Sequence, residues 1–195
     1  SNRRLEYVGF KNTTMQQISI SNVDAPIDIS QGMENANSIT VEQLRRKVIF
    51  PSVLHSIEDV TVVSCGSVQL PKIITEMRYF RMDRVKCLTM PDRVGKLRHV
   101  NMDSTHCTNN LFETDGELME CVSLINVGGV SSIPNSWGNV DTIQVRECSE
   151  LETVPRMLHA SGTISLSLLP KLHCSEAMMF ASYVVFEKLQ IESAP

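Results

Sequence analysis

The chain has 195 residues, 42% hydrophobic and 21% charged, with a formal net charge of −4. These values fit a chain that buries a core and exclude a disordered one. With no basic run and only 5% aromatics, they also speak against a nucleic-acid partner. The longest greasy stretch, 177–186, falls well short of the ~20 apolar residues of a membrane-spanning helix, so no membrane insertion is expected.

In chain order, Leu5, Val8 and Phe10 come first and predict an N-terminal cap or partial repeat over 1–14. Within it Asn12-Thr13-Thr14 is a glycosylation sequon, making Asn12 a candidate modification site. From Met15 onward one spacing recurs: apolar, two others, apolar, one other, apolar. It runs Met15-Ile18-Ile20, Ala36-Ile39-Val41, Ile57-Val60-Val62, Met77-Phe80-Met82 and Leu97-Val100-Met102. It continues as Met119-Val122-Leu124, Val140-Ile143-Val145 and Ser161-Ile164-Leu166, with a last copy read as Phe186-Leu189-Ile191. The segment 41–47 (VEQLRRK) predicts a helical turn. Near the other end Ser175 is placed to N-cap a short helix over EAMMFASYVVF, which makes 173–195 a C-terminal cap of helix plus last strand.

The middle residues of the triplets stand 20–25 positions apart. A period near 21 is too short for two-helix repeats, which need ~33 residues or more, and fits one strand with a compact return. The expected fold is therefore a single solenoid domain over 1–195 of about nine repeats, mainly β or α/β. It would have one parallel sheet and few short helices; a parallel β-helix is the alternative. Hydrophobic-proline pairs recur as Phe50-Pro51, Leu70-Pro71, Met90-Pro91, Ile133-Pro134 and Val154-Pro155, where a residue without an amide donor suits the outer turn. Trp137 is expected to pack beneath such a turn. The six cysteines show no C-x-x-C or zinc spacing, so no metal or other cofactor is expected.

Val140 through Pro155 resembles leucine-rich repeat proteins at every landmark of L-x-x-L-x-L-x-x-N/C-x-x-L-x-x-L-P, and Ile57 through Pro71 does nearly as well, with Cys65 at the Asn/Cys position. CSELETVP and GGVSSIPNSW look like the cysteine-containing repeats of microbial cell-surface proteins. The resemblance implies a receptor-like binding role, and it tilts the open question of compartment toward the exterior or cell surface. The chain departs from the family at the Asn position, which holds Val23, Leu44, Cys65, Val85, Thr105, Val127, Cys148 and Leu169. Buried turn amides must then pair with backbone or water.

Residues between and beside the anchors face outward, because strand side chains alternate. Most are small and hydroxylated. Two neighbouring rungs differ: one presents Tyr79, Arg81 and Asp83, the next His99, Asn101 and Asp103. Tyr and Arg are enriched at binding hot spots, so these six residues are the candidate partner-binding site. A catalytic use of His99 with Asp83 or Asp103 lacks an activated nucleophile motif, and no catalytic residue is assigned. Cys87 and Cys107 each lie seven residues after a middle anchor, which predicts a disulfide between adjacent rungs if the protein is secreted. Cys121 falls on the exposed face, where a free thiol favours a reducing compartment or a covering element. The expected function is non-catalytic binding of another protein through the sheet face. The alternatives are a β-helix-type carbohydrate-cleaving enzyme using Asp83 and Asp103, or a structural spacer.

Overall fold

The computed structural model describes residues 15–30, 35–115, 117–173 and 177–189. The predicted cap strand at Leu5–Phe10, the Asn12 sequon and Ser175 lie outside them. In chain order the strands are β1 (Met15–Ser21), β2 (Ile27–Asp28), β3 (Asn35–Glu42), β4 (Lys47–Ile49), β5 (Val53–Val63), β6 (Ser67–Gln69), β7 (Ile73–Asp83) and β8 (Cys87–Thr89). They continue as β9 (Arg93–Val94), β10 (His99–Asp103), β11 (Glu113–Thr114), β12 (Met119–Ile125), β13 (Asn139–Arg146), β14 (Met157–Ala160), β15 (Thr163–Ser167), β16 (Met178–Phe180) and β17 (Tyr183–Glu187). One 3-10 turn, Asn135–Trp137, is the helical element among the described residues.

Every pairing is parallel, and the chain forms a β-solenoid of about 8 turns. The main row runs β1-β3-β5-β7-β10-β12-β13-β15-β17. The expected solenoid is present, and with it a second parallel sheet, β2-β4-β6-β8, on another side of each turn. The bridges Leu88↔Cys107, His106↔Gly128 and Ser132↔Thr153 extend that second row. A third row pairs the start of β5 with β7, then β9 and β11.

The triplet spacing has a direct structural cause. Ile57 stands opposite Met77 and Asp59 opposite Tyr79, while Glu58 and Arg78 fall out of the ladder. The strand kinks there, so both residues between the first two anchors face outward before alternation resumes. The anchors stack in columns: Ile39, Val60, Phe80, Val100, Val122, Ile143 and Ile164 are all buried, as are Val41, Val62, Met82, Met102, Leu124, Val145 and Leu166. Each such side chain contributes about 1.5–3 kcal/mol on burial. Trp137 is buried as expected, donates its indole N–H to the Phe112 carbonyl at 3.0 Å, and extends an aromatic run through Phe112 to Phe80.

Immediately after each main strand one residue has positive φ: Asn22, Gln43, Ser64, Arg84, Ser104, Asn126, Glu147, Leu168 and Lys188. Its amide donates to the carbonyl ending the next main strand, from Asn22→Glu42 through Leu168→Glu187. This backbone ladder satisfies the turn amides that an Asn column would otherwise serve. Where the next inward residue is Cys or Thr, it adds a bond to backbone: Cys65 to Val63 O, Thr105 to Asp103 O, Cys148 to Arg146 O.

Four expectations need correction. Segment 41–47 is the end of β3, a left-handed Gln43 and the start of β4, with no helical turn. Residues 178–180 and 183–186 of the predicted C-terminal helix lie in β16 and β17, which pair with β14 and β15. The last triplet is therefore Ala181-Val184-Phe186, with Val184 opposite Ile164, and the apparent 25-residue interval disappears. Lastly, Cys87 and Cys107 are free thiols. The turn after Val100 is one residue shorter than that after Phe80, so Cys107 stands opposite Leu88. A one-residue offset turns the two side chains to opposite faces; Cys107 is buried while Cys87 is half-exposed.

Candidate functional site

Strands β7 and β10 bring the six predicted site residues together in register: Tyr79 beside His99, Arg81 beside Asn101, Asp83 beside Asp103. Phe80, Met82, Val100 and Met102 anchor the two strands from below, so the outward residues stand on a packed base. The Tyr79 and His99 rings stack, with centroids 4.7 Å apart and planes 10° from parallel. One face of each ring is turned to the other along the solenoid axis, and Tyr79 remains exposed.

His99 is held from its other side. Its Nε2 lies 3.0 Å from Glu120 Oε2, and Arg98 Nη1 donates to Glu120 Oε1 at 2.6 Å. The Arg98 hydrogen bond, aided by the His99 and Arg98 charges, holds the Glu120 carboxyl below its ordinary value. Glu120 is the residue sequence reasoning missed. It belongs to the column two positions before each middle anchor, Glu58-Arg78-Arg98-Glu120, which the kink turns outward. Reading that column alongside the other outward ones finds it.

The acids are locally engaged: Asp83 pairs with Arg84 at 3.0 Å, Asp103 accepts from the Ser104 hydroxyl at 2.9 Å, and Asp59 accepts from Thr61 at 2.9 Å. Arg81 differs, since among the described residues no carboxylate pairs with it and it is solvent-exposed. It borders a shallow depression of about 290 Å³ shared with Asp59, Thr61, Tyr79, His99, Asn101, Cys121 and Ser123.

Cys121 follows His99 in the same outward column and is half-buried rather than exposed. Burial, with Asp141 nearby, raises its thiol pKa, which works against thiolate formation. Among the described residues no group of three or more His, Cys, Asp or Glu is arranged to hold a metal ion. No helix among them is long and apolar enough to cross a membrane. Compared with family models, with curated proteins and with solved structures, the chain matches none.

Proposed function

We propose that the chain is a non-catalytic binding module that takes another protein on the outward face of its main sheet, at the rungs of Phe80 and Val100. The observation that carries this reading is an unpaired Arg81 beside a fixed Tyr79–His99 stack. A preorganised pair costs little side-chain entropy on binding. With one face of each ring covered by the other, recognition there draws on hydrogen bonds from the ring edges and on the Arg81 charge. A partner segment carrying a carboxylate fits that chemistry. The leucine-rich-repeat-like spacing supports the same role by analogy, and the net charge of −4 favours a protein over a nucleic acid.

Replacing Tyr79, Arg81 and His99 by Ala is expected to abolish capture of the partner, each truncation costing roughly 2 kcal/mol of binding. The melting curve should stay in place. A triple variant that still retains the partner overturns the reading. The competing one, carbohydrate cleavage by Asp83 and Asp103, requires turnover that Asp83→Asn or Asp103→Asn removes.

A further inference from the structure

The second parallel sheet presents a face that the proposed binding site does not use. Its outward residues flank buried Val48, Val68 and Leu88, and the row continues through the bridges at Cys107, Gly128 and Thr153. It reaches His173, whose amide donates to Glu152 O at 2.8 Å. The middle of this face is built of modest side chains: Ser67, Gln69, Cys87, Thr89, Thr108 and Gly128. Thr89 and Thr108 share a hydrogen bond at 3.0 Å, and the His106 ring lies against Gly128, where a Cβ would meet its Nδ1 at 2.6 Å. Lys86 stands at the corner before β8 rather than on the sheet. Among the described residues of the face, the formal charges lie at the two ends, and their order reverses between them. Lys47 stands two rungs before Leu88, and Asp28 on the rung before that. Glu150 stands two rungs beyond Cys107, and Lys171 on the rung after that. Arg45 and Arg46 adjoin Lys47, and Glu152 adjoins Glu150. Among the described residues Lys47, Glu150, Glu152 and Lys171 have no ion-pair partner, and Asp28 bonds only to Ser30.

We propose that this face is a contact between two copies of the chain, related by a two-fold axis along the strands, midway between the rungs of Leu88 and Cys107. The operator keeps strand direction and reverses the order of rungs. Lys47 then faces the partner's Glu150, and the rung of Asp28 faces that of the partner's Lys171. The central residues close on their own counterparts. An identical copy is the occupant that this pattern specifies. Charges of opposite sign at equal distances from the centre of a face make it complementary to itself after a two-fold turn, as an isologous contact demands. Without the turn Lys47 would meet the partner's Lys47. The face is about 38 Å long and about 14 Å wide, from rungs ~4.8 Å apart and residues ~3.3 Å apart along each strand. It would bury roughly 1,000 Å² over both copies, in the range of weak, reversible complexes. The main-sheet site stays open in this dimer, so either reading can fail without the other.

Sedimentation velocity over a concentration series should show a monomer–dimer equilibrium. It should weaken roughly threefold or more when NaCl rises from about 0.05 M to about 0.5 M. Lys47→Glu and Glu150→Lys, both at exposed positions, should each weaken it roughly fivefold or more and leave the circular dichroism spectrum unchanged. An equimolar mixture of the two variants should recover the dimer. There the two substituted side chains meet each other, and the second contact is the original Lys47–Glu150 pair. Loss of folding cannot produce that rescue. Cys87 lies half a rung from the axis, so with sheets ~10 Å apart its Cα atoms in the two copies stand about 11 Å apart. A short bis-maleimide should join them, with linked peptides that map to Cys87 on both sides. A wild type that stays monomeric to about 1 mM overturns the proposal. So does a mixture no better than its components, or links that map to other cysteines.

Discussion

Gln43 shows what the turn asks of a residue. It is exposed, makes no side-chain bond among the described contacts, and holds φ at 56° only to present its amide to Val63 O at 2.9 Å. The left-handed conformation costs an L-residue roughly 1–2 kcal/mol, and Cβ branching makes it worse. Gln43→Gly is therefore expected to leave stability equal or up to ~1 kcal/mol higher, and Gln43→Val to lower it by ~1–2 kcal/mol, read by urea denaturation. Equal midpoints for the two variants would contradict this. Thiol chemistry follows burial. Burial pushes the Cys107 thiol to about 12 and Cys148 to about 11, whereas Cys87 and Cys121 are only half-buried. Brief native alkylation followed by mass mapping should label Cys87 and Cys121 ahead of Cys65, Cys107 and Cys148. Prompt labelling of Cys107 would refute its pairing opposite Leu88 with the thiol turned inward. Glu120 makes a further pH-dependent contribution. Its folded pKa is lowered from 4.5, so the stabilisation is present above that value and lost as pH falls through the lower folded one. The stability gap between wild type and Glu120→Gln, small at a largely solvated site, should hold at neutral pH and narrow as the pH falls below about 4.5.

At the scale of elements, the rung around Phe112 and Trp137 is where the regular side strands give out. Beyond β8 the second row continues only as single bridges, and Asn109 supports the first of these turns: its Oδ1 accepts from the Met90 amide at 2.8 Å and its Nδ2 donates to Met90 O at 3.2 Å. Trp137→Ala should cost about 3–5 kcal/mol by opening a cavity beneath this rung. A loss below ~1 kcal/mol in chemical denaturation would mean that the rung collapses around the gap. Much of the element pattern was legible in the sequence, because anchors such as Ile39, Val60 and Ile143 must be apolar to stack. The C-terminal strands were not. EAMMFASYVVF reads as a capped helix, and Ala181 is too small to declare itself an anchor. Pairing with β14 and β15 then overrides local propensity. The predicted disulfide failed for a related reason: one residue fewer between Val100 and Cys107 than between Phe80 and Leu88 is invisible until the register is known. The site fared better, since β7 and β10 do align Tyr79 with His99. Glu120 escaped because the kink breaks strict alternation.

Taken whole, the molecule has no single centre. Each rung touches only its neighbours, so stability is close to a sum of rung and interface terms. Hydrogen exchange in dilute solution is expected to be slowest in β5 through β13 and to quicken toward β17, whose anchors are open. Uniform protection along the chain would contradict that gradient. The left-handed turn has a further consequence for such a stack. Nine different positions hold the same backbone geometry with Asn, Gln, Ser, Arg, Glu, Leu or Lys, so the repeat is written in conformation rather than in letters. A turn indifferent to its side chain is a natural splice point. Duplicating Ser64–Asp83 joins Asp83 to a second Ser64 in the geometry Asp83 and Arg84 already share, and should lengthen the stack by one cassette of ~4.8 Å. On that view the chain is less a fixed object than a length of modular track, and its extent can be reset without redesigning any single turn.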